Sequence, residues 1–407
     1  MTVKMEIKKT CLLILSFVST LNCTAQDIHG NGSSAAFISD TITSEVPWEN
    51  KILGRIGDIM DSYANKTSMV GMEIYDLSDN KVLYAYNERQ TMRPASTQKI
   101  LTAVTAIDHL GCNYEYKTQL CYTGNIDGRT LLGSVYCIGG FDPAFTVGDL
   151  ESFVSAIREA GIDTIQGNIY ADLSFKDANR LGEGWCWDDD NPVLTPLMLN
   201  KKDDFIMHFT SLLRQDGIVI NGYTDEQKTP PSAHLLHVVT RPINKILHRM
   251  MKNSDNTYAE SMFYQLGSSA NTVRVHYNNL IRKVGLNPSD YYVADGSGLS
   301  LYNYVSPHEE VAFLKYTYEN KEIFDCLYHS LPIAGVDGTL RRRMRGTKAD
   351  GNVRAKTGTV AGVSSLAGYL YAPNGHFVCF SIINMGVMKA STGRNFQDRI
   401  CEALCLP

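Results

Sequence analysis

The chain has 407 residues, 44% of them hydrophobic and 20% charged, with a formal net charge of −5. That is an ordinary globular mix, long enough for a large core and for two domains. No basic run is longer than Arg341-Arg342-Arg343, so nothing suggests nucleic-acid binding, and no apolar stretch beyond the first thirty residues approaches the ~20 residues that span a bilayer.

The N-terminus reads as an export signal. Lys4, Lys8 and Lys9 form a basic region, Cys11 to Leu21 an apolar one, and small residues follow in Asn22-Cys23-Thr24-Ala25-Gln26. Cleavage is expected near Ala25 or Gln26, so residues 1–26 are set apart and the mature chain is expected in the periplasm, without a membrane span. A lipoprotein site at Cys23 is the rival, disfavoured by the preceding Asn22. Eight cysteines remain after Gln26. Export permits disulfides, but their wide spacing suits buried thiols equally, and no pairs are assigned. No C-x-x-C occurs and His308-Glu309-Glu310 lacks a second histidine, so no metal and no cofactor is expected.

Residues 27–46 read as a polar lead-in. Trp48 to Tyr63 carries helical spacing, and Met69–Leu77 with Val82–Tyr86 flank Ser78-Asp79-Asn80-Lys81 as a β-hairpin. Pro94 then opens a helix through Leu110 that stops at Gly111. In that helix Ser96 and Lys99 lie three positions apart, on one face and ~5–6 Å apart at Cβ, at the positive end of the helix dipole. A neutral lysine there can activate a serine nucleophile.

From Tyr114 to about Pro196 the chain reads as a small inserted α/β domain. Lys117–Tyr122, Leu131–Ile138 and Ile165–Ala171 are expected strands. Thr146-x-x-Asp149 forms a capping box for a helix through Glu159. Asp188 to Asp190 are read as a solvated loop, in preference to a calcium site. Beyond it Leu235–Val239 is a strand, and Pro242 opens a helix that breaks at Lys252–Asn256. Further helices are expected over Thr257–Leu266, Val273–Val284 and Pro307–Tyr318. Asp295-Gly296-Ser297-Gly298 is a tight turn. Leu366–Tyr371 and Phe377–Asn384 pair across Pro373-Asn374-Gly375, and a helix closes from Thr392 to Leu404.

Three short motifs stand in order: Ser96-x-x-Lys99, Ser254-Asp255-Asn256 and Lys356-Thr357-Gly358. The first alone arises by chance about once or twice in a chain this long, but all three in sequence are rarer by orders of magnitude. The set resembles that of class A β-lactamases and penicillin-binding proteins. Each residue has a fitting task. Ser96 attacks a carbonyl, and Lys99, its pKa depressed by burial and by Lys356, takes the proton. Ser254 passes it to the leaving amine, and Asn256 holds Lys99 and a substrate amide. Lys356 and Thr357 bind a carboxylate, while Gly358 lets the substrate backbone approach a strand edge. The N–H groups of Ser96 and Thr359 form the oxyanion hole.

The resemblance narrows to the D-alanyl-D-alanine carboxypeptidase/endopeptidase group, the class C low-molecular-mass penicillin-binding proteins. It is carried by Gly140–Thr146, Gly184–Asp189, Asp295–Ser300, Ala334–Leu340, Arg354–Gly362 and Leu366–Tyr369. It implies an α/β (α+β) penicillin-recognising fold, an antiparallel sheet between helices beside a helical lobe. Residues 27–113 and 197–407 would form the catalytic domain and 114–196 the insert. It implies a D-Ala-D-Ala carboxypeptidase, a D,D-endopeptidase or both, cleaving D-Ala–D-Ala ends or D-Ala–diaminopimelate crosslinks of peptidoglycan stem peptides through an acyl-Ser96 intermediate, with covalent inhibition by β-lactams. Asp142 would read a stem amine, or simply cap the Pro143 turn. Only 158 positions separate Ser96 from Ser254, which fits a single small insert. Leu301 and Ala361 stand where relatives often carry a basic residue and a glutamine, which leaves the preference for a diaminopimelate side chain open. Two alternatives remain. A β-lactamase is disfavoured because no E-x-x-L-N follows Asn256, and a decayed peptidoglycan-binding module because Ser96, Lys99, Ser254 and Lys356 are all present.

Overall fold

The computed structural model describes residues 47–62, 68–188 and 191–407, so the expected signal segment and part of the acidic run lie outside the described residues. In chain order it forms α1 (Trp48–Ser62), β1 (Met69–Asp76), β2 (Lys81–Tyr86), α2 (Gln98–Leu110), β3 (Glu115–Tyr122), β4 (Asn125–Asp127), β5 (Thr130–Leu132) and β6 (Val135–Ile138). There follow α3 (Val147–Glu159), β7 (Thr164–Ile165), β8 (Ile169–Asp172), α4 (Phe205–Gln215), β9 (Val219–Ile220), β10 (Thr224–Glu226) and β11 (His234–Pro242). The remainder is α5 (Ile243–Asn253), α6 (Asn256–Tyr264), α7 (Ala270–Lys283), α8 (Pro307–Glu319), α9 (Lys321–Ser330), β12 (Arg354–Val360), β13 (Val363–Tyr371), β14 (Phe377–Met385) and α10 (Ala390–Cys405).

The two apolar runs near the C-terminus become the centre of an antiparallel sheet in the order β12-β13-β14-β1-β2. Side chains alternate across a strand, and both faces here are covered. Val70, Met72 and Ile74 of β1 and Val378, Phe380 and Ile382 of β14 pack with Ile52 and Ile56 of α1 and Phe396 and Ile400 of α10. Tyr369, Cys379 and Ile383 face the opposite core, built on α2 and α8 with Ile100, Val104 and Phe313. Tyr369 also donates to the Leu314 carbonyl at 2.8 Å. Every residue of α2 from Gln98 to Ile107 is buried, so this helix runs through the interior.

A second core gathers around Leu120, Phe145, Phe153, Phe205 and Phe209. Over it lie a five-stranded sheet in the order β10-β8-β6-β3-β11 and a four-stranded one in the order β4-β5-β7-β9. Two expected strands are each divided. Residues 131–138 become β5 and β6, and 165–171 become β7 and β8, in different sheets. The joints are glycines under close contact: a Cβ on Gly133 would lie 1.8 Å from the Thr123 carbonyl oxygen, and one on Gly167 would lie 2.2 Å from that of Gly133. The second core also runs past the boundary expected at 196, through Leu197, Leu199, Leu213 and Ile218. Its sheet is completed only by β11, which pairs with the whole of β3 and ends at Pro242 opposite Glu115. Helices α4 and α9 are additions to the expected elements.

Cys112, just past α2, is joined to Cys326 of α9 across 214 positions. Crosslinks closing long loops restrict the unfolded chain most. Replacing both cysteines by serine is expected to lower unfolding stability by about 2–4 kcal/mol, read as a lower urea midpoint.

Candidate active site

Ser96 lies in a single 3-10 turn, Ala95–Thr97, that runs directly into α2. The turn is tight. Ala95 takes a left-handed conformation (φ 50°), which costs a non-glycine residue ~1–3 kcal/mol. Two glycines press on it from either side. A Cβ on Gly298 would stand 1.8 Å from the Ala95 carbonyl oxygen, and one on Gly358 would stand 2.9 Å from the Ser96 nitrogen. The turn is also held by the Thr97 hydroxyl, which donates to the Pro94 carbonyl at 2.8 Å.

Lys99 is fully buried in the first turn of α2. Its Nζ lies 2.9 Å from Ser96 Oγ, 2.7 Å from Asn256 Oδ1 and 2.7 Å from the Ser297 carbonyl oxygen. The last two atoms only accept. A neutral amine has two N–H bonds to give them, and its lone pair is then left facing the serine hydroxyl. Burial holds the Lys99 pKa down at about 8, against the opposing pull of Asp295, Glu260 and Asp255. Roughly one molecule in ten would carry the neutral base at pH 7.

The other two motifs converge on the same place. Ser254 follows α5 in a left-handed conformation (φ 56°), which breaks the helix and separates it from α6. Lys356 of β12 is buried and donates to Ser254 Oγ at 2.8 Å and to the Thr357 carbonyl at 2.6 Å. Burial first, and the Lys99 charge second, push its pKa well down. Because β12 is the edge of its sheet, its outer side has no partner strand. Near its start Ala355 N–H donates to the Pro332 carbonyl, and Thr357 and Thr359 line the cleft beyond. The cleft holds about 460 Å³ and is bordered by Ser96, Ser254, Thr339, Thr357 and Thr359 together with arginines. No carboxylate lines it.

Two buried carboxyl groups behind Lys99 carry no motif of their own. Glu260 of α6 accepts from the N–H groups of Ser297 (2.8 Å) and Gly296 (3.3 Å), and so fixes the carbonyl that holds Lys99. Burial and the nearby Asp295 raise its pKa to about 8. Asp295 accepts from Gly298 and Ser300 N–H, from Asn303 and from the Trp185 indole at 2.6–2.8 Å. It thereby ties the loop that carries Trp185 to the Asp295–Gly298 turn behind Lys99. The sequence marks this stretch only as a turn and a point of resemblance. A lone glutamate in a helix such as Glu260 gives no signal at all.

Asp142 departs from the expected substrate role. It is 2% exposed, accepts from Ala144 N–H at 2.9 Å and pairs with Arg241 at 3.0 Å, and it does not line the Ser96 cleft. It caps the Pro143 turn and joins it to β11. Leu301 and Ala361 also lie outside the cleft lining. Among the described residues Asp76, Asp79 and His376 bring three possible metal ligands together. Asp76 is already engaged by Ser78 and Asp79 N–H and by His376, so the group clasps two hairpin turns.

The family model of the D-Ala-D-Ala carboxypeptidase 3 (S13) family matches residues 55–201 and 192–404. Among curated proteins, the D-alanyl-D-alanine carboxypeptidase DacB of Haemophilus influenzae is 27% identical over 405 residues, covering 77% of this chain and 84% of that one. The crystal structure of penicillin binding protein 4 (dacB) from the same organism superposes with a TM-score of 0.78 at 24% identity, over 85% of this chain and 99% of that one. A penicillin G-acylated predatory endopeptidase of Bdellovibrio bacteriovorus shares the fold with a TM-score of 0.54 at 18% identity, over 78% and 86% of the two chains.

Close to Thr97, Glu310 of α8 is fully buried and accepts from Ser381 Oγ at 2.6 Å. Burial raises its pKa to about 7, so the folded protein holds a proton that the unfolded chain releases above its ordinary carboxyl pKa. The stability Glu310 contributes is therefore complete at low pH and lost as pH rises toward 7. Thermal melts between pH 5 and 8 should show a flatter pH dependence for Glu310→Gln than for the parent.

Proposed function

We propose that this chain, which belongs to the D-Ala-D-Ala carboxypeptidase 3 (S13) family, hydrolyses the terminal D-Ala–D-Ala bond of peptidoglycan stem peptides through an ester on Ser96. The observation that carries the reading is the Lys99 amine, 2.9 Å from Ser96 Oγ with both of its N–H directions committed to carbonyl oxygens. Neutral Lys99 takes the Ser96 proton as Oγ bonds to the carbonyl carbon of the penultimate residue. The resulting oxyanion receives the N–H groups of Ser96 and Thr359. Ser254, poised by Lys356, relays the proton to the leaving nitrogen as the C–N bond breaks, and free D-alanine departs. Water then adds to the ester, giving its proton back through Lys99, and the shortened stem is released. The terminal carboxylate is assigned to Lys356 and to the Thr357 and Thr339 hydroxyls, which are 2.8 Å apart.

A strained β-lactam amide presents the same carbonyl to Ser96, and the Bdellovibrio relative is acylated by penicillin G. The absence of a carboxylate from the cleft lining supports slow hydrolysis of that adduct, which disfavours a β-lactamase. The basic and apolar segments before Gln26 support export to the periplasm, where the substrate lies. The continuous second core supports an inserted domain spanning 114–242.

Intact mass after incubation with benzylpenicillin tests the assignment. One lasting adduct is expected, and none in Ser96→Ala; turnover of a D-Ala–D-Ala peptide by Ser96→Ala would reject it. Lys99→Ala should slow acylation by ~10²–10⁴. Because only the neutral amine is a base, the acylation rate of the parent should rise about tenfold per pH unit below 8 and level off above it. Stopped-flow acylation across pH 6–9 measures this.

A further inference from the structure

Lys201 reaches the second motif from outside the helices that carry it. Its ammonium lies 3.0 Å from Asp255 Oδ2, a carboxylate whose side chain is 10% exposed and which stands between Ser254 and Asn256 in the chain. Asp255 is the N-cap of α6 but makes no side-chain capping bond. A carboxylate in that position ordinarily accepts from the N–H groups of its own helix. Here it is drawn to cations instead. Arg249 of α5 stands farther off, at 3.4 Å, with its guanidinium over the Tyr258 ring. Lys201 supplies the closer charge.

The turn that presents Lys201 is strained. Leu199 and Lys202 exchange backbone bonds at 3.0 and 2.9 Å, which leaves Asn200 and Lys201 as the two central residues of a tight turn. Both are left-handed, at φ 50° and 66°. A turn with two left-handed centres favours Asn followed by Gly. Asn200 suits its place, because a short polar side chain tolerates this region. Lys201 stands where glycine would be free of strain. The turn is also anchored from below. Leu199 is buried in the second core, and Asn200 N–H donates to the Phe145 carbonyl at 2.9 Å. Strain kept at a residue that meets a functional motif points to a use for its side chain.

We infer that Lys201 is a positioning residue for acyl transfer. By clamping Asp255 from outside α5 and α6 it holds both neighbours in place: Ser254, which meets Lys356 at 2.8 Å, and Asn256, which meets Lys99 at 2.7 Å. Ser254 is itself left-handed, at φ 56°, so its own backbone does not favour the bend between the two helices, and the ion pair supplies an outside hold. Lys201 touches neither the reacting atoms nor the nucleophile; it acts through Asp255. This inference rests on the acyl-Ser96 reading above.

Stopped-flow acylation by benzylpenicillin, with thermal melts alongside, tests the role in Lys201→Met, Lys201→Gly and Lys201→Arg. In Lys201→Met the first-order acylation constant is expected to fall about three- to fivefold, the size of one partly exposed ion pair, while the affinity of the noncovalent complex stays unchanged. Lys201→Arg should recover the rate. Lys201→Gly should lose as much rate as Lys201→Met yet melt above the parent, because the turn is relieved. An unchanged rate in Lys201→Met, or an equal loss in Lys201→Arg, would overturn the role. So would a rate loss in Lys201→Gly that comes with a lower melting temperature, which marks a merely structural residue. A parent that is acylated, with variants that match it, rejects Lys201 alone, whereas a parent that takes no adduct rejects the acyl-enzyme reading as well.

Discussion

Two amines buried in one site, Lys99 and Lys356, set the terms for everything around them. Taking a cation out of water is costly unless it finds acceptors or gives up its proton. Here both happen. Each amine is met by a carbonyl oxygen and a side-chain oxygen, and each is pushed toward its neutral form. A surface lysine would keep its proton and could not serve as a base. Burial of α2 from Gln98 to Ile107, Lys99 included, is therefore part of what sets the state of that amine as well as of the packing.

The same constraint explains the second layer of the site. Carboxylates placed directly on Lys99 would hold its proton. Glu260 and Asp295 instead bind backbone N–H groups and shape the loop whose Ser297 carbonyl meets the amine. Burial outweighs their combined attraction on Lys99. Through the Trp185 indole, Asp295 also couples the loop that carries Trp185 to the Asp295–Gly298 turn.

Much of this was legible in the chain itself. Where an element is decided by neighbours close in sequence, the reading and the structure agree. Thr146 and Asp149 cap α3 reciprocally, Gly111 ends α2 at φ 82°, and Pro373-Asn374-Gly375 turns β13 into β14. The three motifs meet in one place, and S-x-x-K needs only one helical turn to bring hydroxyl and amine together. Differences arose where distant contacts decide. Leu131–Ile138 reads as one strand, and only the approach of the Thr123 carbonyl to Gly133 shows why it must divide. The amphipathic signals of α4 and α9 are short, and each is fixed by the core it joins rather than by its own pattern.

By itself, then, the sequence determined the family pattern, the candidate pair Ser96 and Lys99, and most local elements, because caps, turns and short periodicities act within a few residues. Tertiary structure alone decided that Asp142 belongs to a buried pair with Arg241, that Glu260 supports Lys99, that Cys112 meets Cys326, and that four arginines border the Ser96 cleft. Those facts depend on which groups lose water together, and desolvation is a property of the packed molecule that no local stretch of chain carries.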